Sequence, residues 1–67
     1  MNYHVHFYPN NEGGYTCTVR ALVNGSPEGP TLAAGTGHTQ GAARDAALAV
    51  ATDPEVRRVL SSYVPDE

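Results

Sequence analysis

Residues 35–47 join the glycine-rich end of an expected strand directly to an alanine-rich segment. Gly35 and Gly37 carry no side chain, so the backbone there can bend and pack closely against a following helix. Thr39 is of a type that caps helix N-termini, so we expect the helix to begin at Gln40. Its apolar stripe at helical spacing would be Ala43, Ala46, Ala47 and Val50. This pattern predicts a helix that touches a sheet through small residues.

Three segments before this helix have the composition of β-strands. Residues 3–8 alternate between apolar and mixed side chains, the period-two pattern of a half-buried strand, and Pro9 ends the run. Residues 15–23 are rich in β-branched and aromatic types, and residues 31–34 predict a shorter third strand that fades into the glycines. Asparagines and glycines at residues 10–14 favour a tight connection between the first two strands.

The remaining segments predict a loop and a second helix. Residues 24–30 hold prolines and glycines, which indicates a long exposed loop. Asp53, Pro54 and Glu55 predict a new helix start, because aspartate caps a helix and proline fits its first position. The apolar face of this helix would be Val56, Val59, Leu60 and Tyr63, and residues 65–67 would form an acidic tail.

The fold class that follows is α+β. We expect a three-stranded antiparallel sheet with one Ala-rich helix packed on one face, in the order β-β-β-α, plus a short C-terminal helix. The docking site of that last helix is left open by the sequence. The order of elements implies that one face of the sheet stays uncovered.

Length and composition predict one small domain, residues 1–67, with a thin core. Of the residues, 40% are hydrophobic, none is tryptophan, and many apolar positions are alanine. A domain of this size buries only about 60% of the surface of its unfolded chain, so a homodimer would be a natural way to bury more. The single cysteine, Cys17, excludes an internal disulfide, and no leader pattern or long apolar span is visible. We therefore expect a cytoplasmic protein without membrane contact.

The charge balance disfavours nucleic acid as a partner. Seven acidic residues outnumber four basic ones, which are all arginine, and the formal net charge is -3. Proteins that grip phosphate backbones need a basic patch, because counterion release supplies most of their non-specific affinity. This chain could assemble only a small local patch.

A strand ending in Val-Asn-Gly, a strand ending in Gly-x-Gly and a small-residue helix follow one another within residues 15–51. In this order they resemble the second half of a double-stranded RNA-binding domain, whose last helix opens on the pattern GxGxSKKxAKxxAA. Along the structural part of that pattern the chain holds Gly35, Gly37, Thr39, Ala43, Ala46 and Ala47. Its lysine positions hold Gln40, Gly41 and Arg44, so the resemblance implies the fold more than the activity. The RNA-binding surface that it implies consists of the first hairpin, His38, Gln40 and Arg44.

The N-terminal half carries a second pattern, close to YxVxFxPxxEGGYxxxVxxL. It is matched by Tyr3, Val5, Phe7, Pro9, Glu12, Gly13, Gly14, Tyr15, Val19 and Leu22. This pattern resembles the small antitoxin domain of the HicB family, in which a third strand and a helix follow. Both resemblances imply the same strand-strand-strand-helix order, but they imply different partners. The sequence therefore leaves the partner undecided.

The uncovered face of the sheet is the candidate binding surface. Alternation along the first two strands places one row of each strand on this face: His4, His6, Tyr8, Thr16, Thr18, Arg20 and Leu22. An amphipathic surface of this kind suits a protein partner or a second copy of the chain. The leading hypothesis is therefore a non-enzymatic interaction module, with an inhibitor or antitoxin-like role as one use. The alternative is a degenerate nucleic-acid-binding domain.

No motif in the chain predicts catalysis or a cofactor. His4 and His6 would project from the same face of a strand and could bind a metal only if a third ligand joined them. Cys17 belongs to the inner row of its strand, where a packed thiol is expected rather than a nucleophile. The carboxylates are scattered over turns and helix starts, so we expect neither an enzyme nor a cofactor.

Overall fold

The computed structural model describes residues 2–26 and 28–63. Its elements in chain order are β1 (Tyr3–Pro9), β2 (Tyr15–Ala21), β3 (Thr31–Gly37), α1 (Gln40–Val50) and α2 (Pro54–Ser62). The predicted α+β class, a three-stranded antiparallel sheet followed by helices, is confirmed. The predicted acidic tail at residues 65–67 lies outside the described residues.

The sheet has the strand order β1-β2-β3, and both neighbouring pairs are antiparallel. β1 and β2 pair without a register shift, whereas the β2–β3 ladder is interrupted between Val19 and Arg20. Val19 lies opposite Ala33 and Arg20 opposite Thr31, so Leu32 has no partner residue on β2. Leu32 is the extra residue of a β-bulge, which shifts the alternation of side chains along β3 by one position. Thr31 therefore points to the same face of the sheet as Arg20.

Two tight turns shape the connections of β2. In the first, the Asn10 side-chain oxygen accepts hydrogen bonds from the backbone N–H groups of Glu12 and Gly14 at 2.9 and 3.1 Å. In the second, Asn24 and Gly25 both have positive φ, and Val23 and Ser26 exchange backbone hydrogen bonds of 2.7 and 3.0 Å. That geometry fits a two-residue type I′ turn.

The second turn corrects part of the prediction of a long exposed loop over residues 24–30: Asn24, Gly25, Glu28 and Pro30 are exposed as predicted, but the segment is not irregular throughout. The segment begins with a tight hairpin instead of an irregular loop. Farther along, Gly29 is buried, and its N–H donates to the carbonyl oxygen of Ala21 at 3.1 Å. β2 accordingly ends at Ala21, two residues before the predicted boundary. The Asn-Gly pair is the sequence signal that predicts such a turn.

Helix α1 packs on the inner face of the sheet through the glycines of β3. Thr39 caps the helix as predicted, accepting the N–H of Ala42 at 3.0 Å. A side chain at Gly35 would overlap the backbone of Ala47, so the close approach requires glycine there. Ala43 and Ala47 are fully buried, but Val50 is 60% exposed, so its predicted place in the buried stripe is wrong.

Helix α2 packs on the same side of the sheet and completes the core. Asp53 caps it by accepting the N–H of Glu55 at 2.8 Å, and Val56 and Leu60 are fully buried. Near its end the ring of Tyr63 lies 5.3 Å from the ring of Phe7 on β1. The buried cluster unites residues of both helices with β2 and β3: Cys17, Val19, Ala33, Ala43, Ala47, Ala51, Val56 and Leu60.

Candidate functional site

The opposite side of the sheet forms the candidate site, which we call the open face. It consists of the even-numbered side chains of β1 and β2, which point away from the buried cluster. Its members are His4, His6, Tyr8, Thr16, Thr18 and Arg20, joined across the β2–β3 ladder by Thr31, Ala34 and Thr36. Within residues 2–26 and 28–63, both helices pack on the other side, so no helix covers this face.

Three rings form a row along β1 on the open face. The ring centres of His4 and His6 lie 5.8 Å apart with an angle of 19° between their planes, and His6 and Tyr8 follow at 5.3 Å and 33°. The row forms because alternate residues of a strand project side by side from one face. It presents aromatic surface together with hydrogen-bonding nitrogens and a phenol hydroxyl, a combination that suits recognition of polypeptides.

A shallow concavity of about 430 Å³ lies beside this row. Its walls are His4, His6, Tyr8, Thr18, Arg20 and Thr31. Arg20 is the only formally charged residue among them, and none of them is a carboxylate. Because the chain as a whole carries a net charge of -3, the concavity differs in charge from the rest of the molecule. It would attract a negatively charged group.

The sequence predicted six residues of the open face but none of those on β3: Thr31, Ala34 and Thr36. Simple alternation back from the buried Ala33 would turn Thr31 toward the helices, but the bulge at Leu32 places it opposite Arg20. The strand pattern carries no signal for this bulge. Leu22, which was predicted to belong to the face, lies beyond the end of β2, is half-buried and does not line the concavity.

The residues of the alternative nucleic-acid surface lie away from the open face. His38 is exposed and lines a second, smaller concavity of about 190 Å³ together with Glu12 of the first hairpin. Gln40 is half-buried at the first position of α1. This second concavity has a carboxylate in its wall, which is unfavourable for a phosphate.

Arg44, the arginine of that surface, forms hydrogen bonds within the molecule. Its guanidinium donates to the carbonyl oxygens of Tyr63 at 2.7 Å and Leu60 at 3.4 Å, both at the end of α2. It also pairs with Asp45 at 2.8 Å, and its side chain is only 22% exposed. A phosphate would therefore have to compete with three oxygen acceptors for this group.

The described residues offer little for catalysis or metal binding. Among residues 2–26 and 28–63, no group of three His, Cys, Asp or Glu side chains could hold a metal ion. Cys17 is fully buried, and this burial raises the pKa of its thiol against the opposing effect of Arg44. A raised pKa keeps the thiol protonated at neutral pH, which opposes a role as nucleophile.

Comparisons with known proteins identify no relative of this chain. No family model, no curated protein and no solved structure matches it significantly. In the part of the chain that the structure describes, neither helix is long and apolar enough to cross a membrane. The function must therefore be argued from the open face itself.

Proposed function

We propose that this chain is a small non-enzymatic interaction module that binds a protein partner through its open face. The observation that carries the proposal is the arrangement of the layers: among the residues that the structure describes, both helices pack on one side of the sheet and leave the other side uncovered. An uncovered face with a row of rings is a surface that a partner can bury. An inhibitor or antitoxin-like role is one use of such a module.

The chemistry of the open face favours an acidic polypeptide segment as the partner. Arg20 can hold a carboxylate through two parallel hydrogen bonds, and the hydroxyls of Thr18 and Thr31 flank the same concavity. The rings of His6 and Tyr8 offer flat contact area to an apolar or aromatic neighbour of that carboxylate. The exposure of Tyr8, 41%, leaves much of its ring available for such a contact.

The cytoplasm is the compartment that we propose for this module. Cys17 is a free, buried thiol, which is stable in a reducing compartment.

The test is a pull-down from native lysate with three matched baits: the wild type, Arg20→Glu and Arg58→Glu. Arg58 lies on α2 and is exposed, so its substitution changes the net charge equally without touching the open face. We expect a protein that the wild type and Arg58→Glu retain after nuclease treatment, and that Arg20→Glu retains at least about tenfold less, equal to 1.4 kcal/mol.

Two outcomes would contradict the proposal. Equal retention by Arg20→Glu and the wild type would show that the open face is not the binding surface. Loss of all retention after nuclease treatment would favour the nucleic-acid alternative, which also predicts strong salt dependence and sensitivity to Arg44→Glu.

A further inference from the structure

In the part of the chain that the structure describes, no strand pairs with the outer edge of β1, which presents a regular row of backbone groups. Residues Asn2 and Leu22 lie opposite each other and are hydrogen-bonded at 3.0 Å, as are Asn10 and Gly14 at the other end of the β1–β2 ladder. Hydrogen-bonded pairs alternate with non-bonded pairs in an antiparallel ladder. The even-numbered residues of β1 therefore bond to β2. The N–H and C=O groups of the odd-numbered residues point outward: Tyr3, Val5 and Phe7.

The usual protections of an edge strand are absent from most of β1. Natural sheets block their edges with bulges, prolines or charged side chains. β1 pairs without a register shift, carries no Asp, Glu, Lys or Arg, and has its one proline at the last position, Pro9. The other edge strand, β3, is interrupted by the bulge at Leu32. β1 is therefore the better edge for strand addition.

The side chains of β1 on the inner face are incompletely buried. Tyr3, Val5 and Phe7 pack against the core cluster but are only partly buried, because within residues 2–26 and 28–63 no fourth strand lies beyond them. An additional strand at this edge would extend the inner face and remove more of their apolar surface from water. The gain is significant for a core whose largest fully buried side chain is one leucine, Leu60.

We propose that a second copy of the chain pairs with this edge, β1 against β1 in antiparallel orientation, to form a continuous six-stranded sheet. The outward groups of both copies are those of odd-numbered residues, so odd residues meet odd residues and the inner faces stay on the same side. A two-fold axis makes this contact self-complementary. The absence of charged side chains from β1 lets two acidic molecules meet there without like charges in the contact.

This pairing does not depend on the proposed partner of the open face. In the dimer the four helices lie on one side of the sheet, and the two open faces join into one surface on the other. The ring rows of both copies, His4 to Tyr8, then lie on adjacent strands at the centre of that surface. The dimer would present two Arg20 side chains, one on each side of the central rows.

The first test is amide hydrogen exchange followed by NMR as the protein concentration rises from low micromolar to millimolar, with sedimentation on the same samples. We expect a dimer whose formation slows exchange at Tyr3, Val5 and Phe7. The amides of His4 and His6 should be protected at every concentration, because they already bond to β2. The amides of Ala34 and Thr36 on the β3 edge serve as the control and should not change.

The second test removes a single outward donor. Cys17 is the only cysteine, so a synthetic peptide of residues 1–16 can be ligated to a fragment that begins with Cys17. N-methylation of the Val5 amide in that peptide leaves the β1–β2 ladder and every side chain intact. We expect loss of the dimer with an unchanged circular dichroism spectrum, compared with the unmethylated ligated protein.

Three results would overturn the proposal. One is a protein that stays monomeric up to millimolar concentration. Another is a dimer whose formation leaves exchange at Tyr3, Val5 and Phe7 unchanged, which would indicate pairing through the open face. The third is a dimer that survives N-methylation of Val5. If the methylated chain does not fold, the exchange experiment decides alone.

Discussion

At the scale of single residues, the contact between sheet and helix depends on glycine. Gly35 on β3 lies directly beneath α1, and the space that a side chain would need is filled by the backbone of Ala47 and the side chain of Ala46. Backbone atoms of a helix cannot rotate away as a flexible side chain can. The helix would have to move as a unit, which would loosen the buried contacts of Ala43 and Ala47.

The substitution Gly35→Ala tests this contact. We expect it to lower the free energy of unfolding by about 2 kcal/mol or more, because overpacking of a tight contact costs about 1–3 kcal/mol and this obstruction is backbone. The matched control is Thr36→Ala, one residue along the same strand and exposed. It should cost less than about 1 kcal/mol. Urea unfolding of both variants measures the difference, and equal losses would show that the approach at Gly35 is not constrained.

The sequence predicted some single-residue features and not others. The caps Thr39 and Asp53 were predictable because each precedes a helical segment with a side chain that can accept a backbone N–H. The placement of Thr31 on the open face was not, since it depends on a bulge that no residue type in the strand announces. The turn at Asn24 and Gly25 has a sequence signal, since an Asn-Gly pair favours a two-residue hairpin turn, but the prolines and glycines that follow it favour a loop.

At the scale of elements, the C-terminal end of each helix is capped by an arginine from the other helix. Neither helix has a basic residue in its own last turn. Arg44 of α1 donates to carbonyl oxygens at the end of α2, and Arg57 of α2 donates to the carbonyl oxygens of Leu48 and Ala51 at 2.9 and 3.1 Å. Both contacts supply donors to carbonyl groups at a helix C-terminus, where the carbonyls of Leu48 and Leu60 accept only the long cap bonds of 3.3 and 3.2 Å from the backbone, and both place positive charge at the negative end of a helix dipole.

Substitution of these arginines should destabilise the domain. We expect Arg44→Gln and Arg57→Gln each to lower the free energy of unfolding by about 1 kcal/mol, since each removes charged hydrogen bonds at a helix end. The control is Arg58→Gln, which removes the same charge from α2 but breaks only an exposed pair with Glu55 at 3.4 Å. Its effect should stay within about 0.5 kcal/mol. Thermal unfolding measures the stability of the three variants. Equal losses in all three would show that the effect comes from the removed charge and not from the hydrogen bonds to the helix ends.

These caps limited how well the functional residues could be predicted. The sequence shows that Arg44 lies on α1 but not that it reaches the end of α2, because that contact spans 19 positions along the chain. The resemblance to an RNA-binding domain places Arg44 on a nucleic-acid surface, but in the structure its guanidinium binds carbonyl oxygens at the end of α2. The open face was easier to predict, since alternation along β1 and β2 depends only on neighbouring residues.

At the scale of the whole molecule, α2 is an integral part of the core. The sequence predicted its start and its apolar face but left its docking site open, because an amphipathic helix fits any apolar surface of similar width. In the structure Val56 and Leu60 complete the buried cluster, and Tyr63 reaches Phe7 on β1. The core therefore extends from β1 through both helices, and the α2 end of the molecule is coupled to the strand whose free edge we assign to the dimer.

Leu60→Ala tests this dependence of the whole fold on α2. Loss of a fully buried leucine costs about 2–5 kcal/mol, which is comparable to the whole stability that a domain of this size commonly has, about 3–5 kcal/mol. We therefore expect the β-sheet signal in circular dichroism to be lost. In NMR spectra the amide resonances of β1 should lose their chemical-shift dispersion as well. The control is Val50→Ala on α1, where 60% of the residue is exposed and the change should be small. A Leu60→Ala protein that keeps a folded sheet while α2 alone detaches would contradict a core shared by all five elements, and would reduce α2 to an appendage.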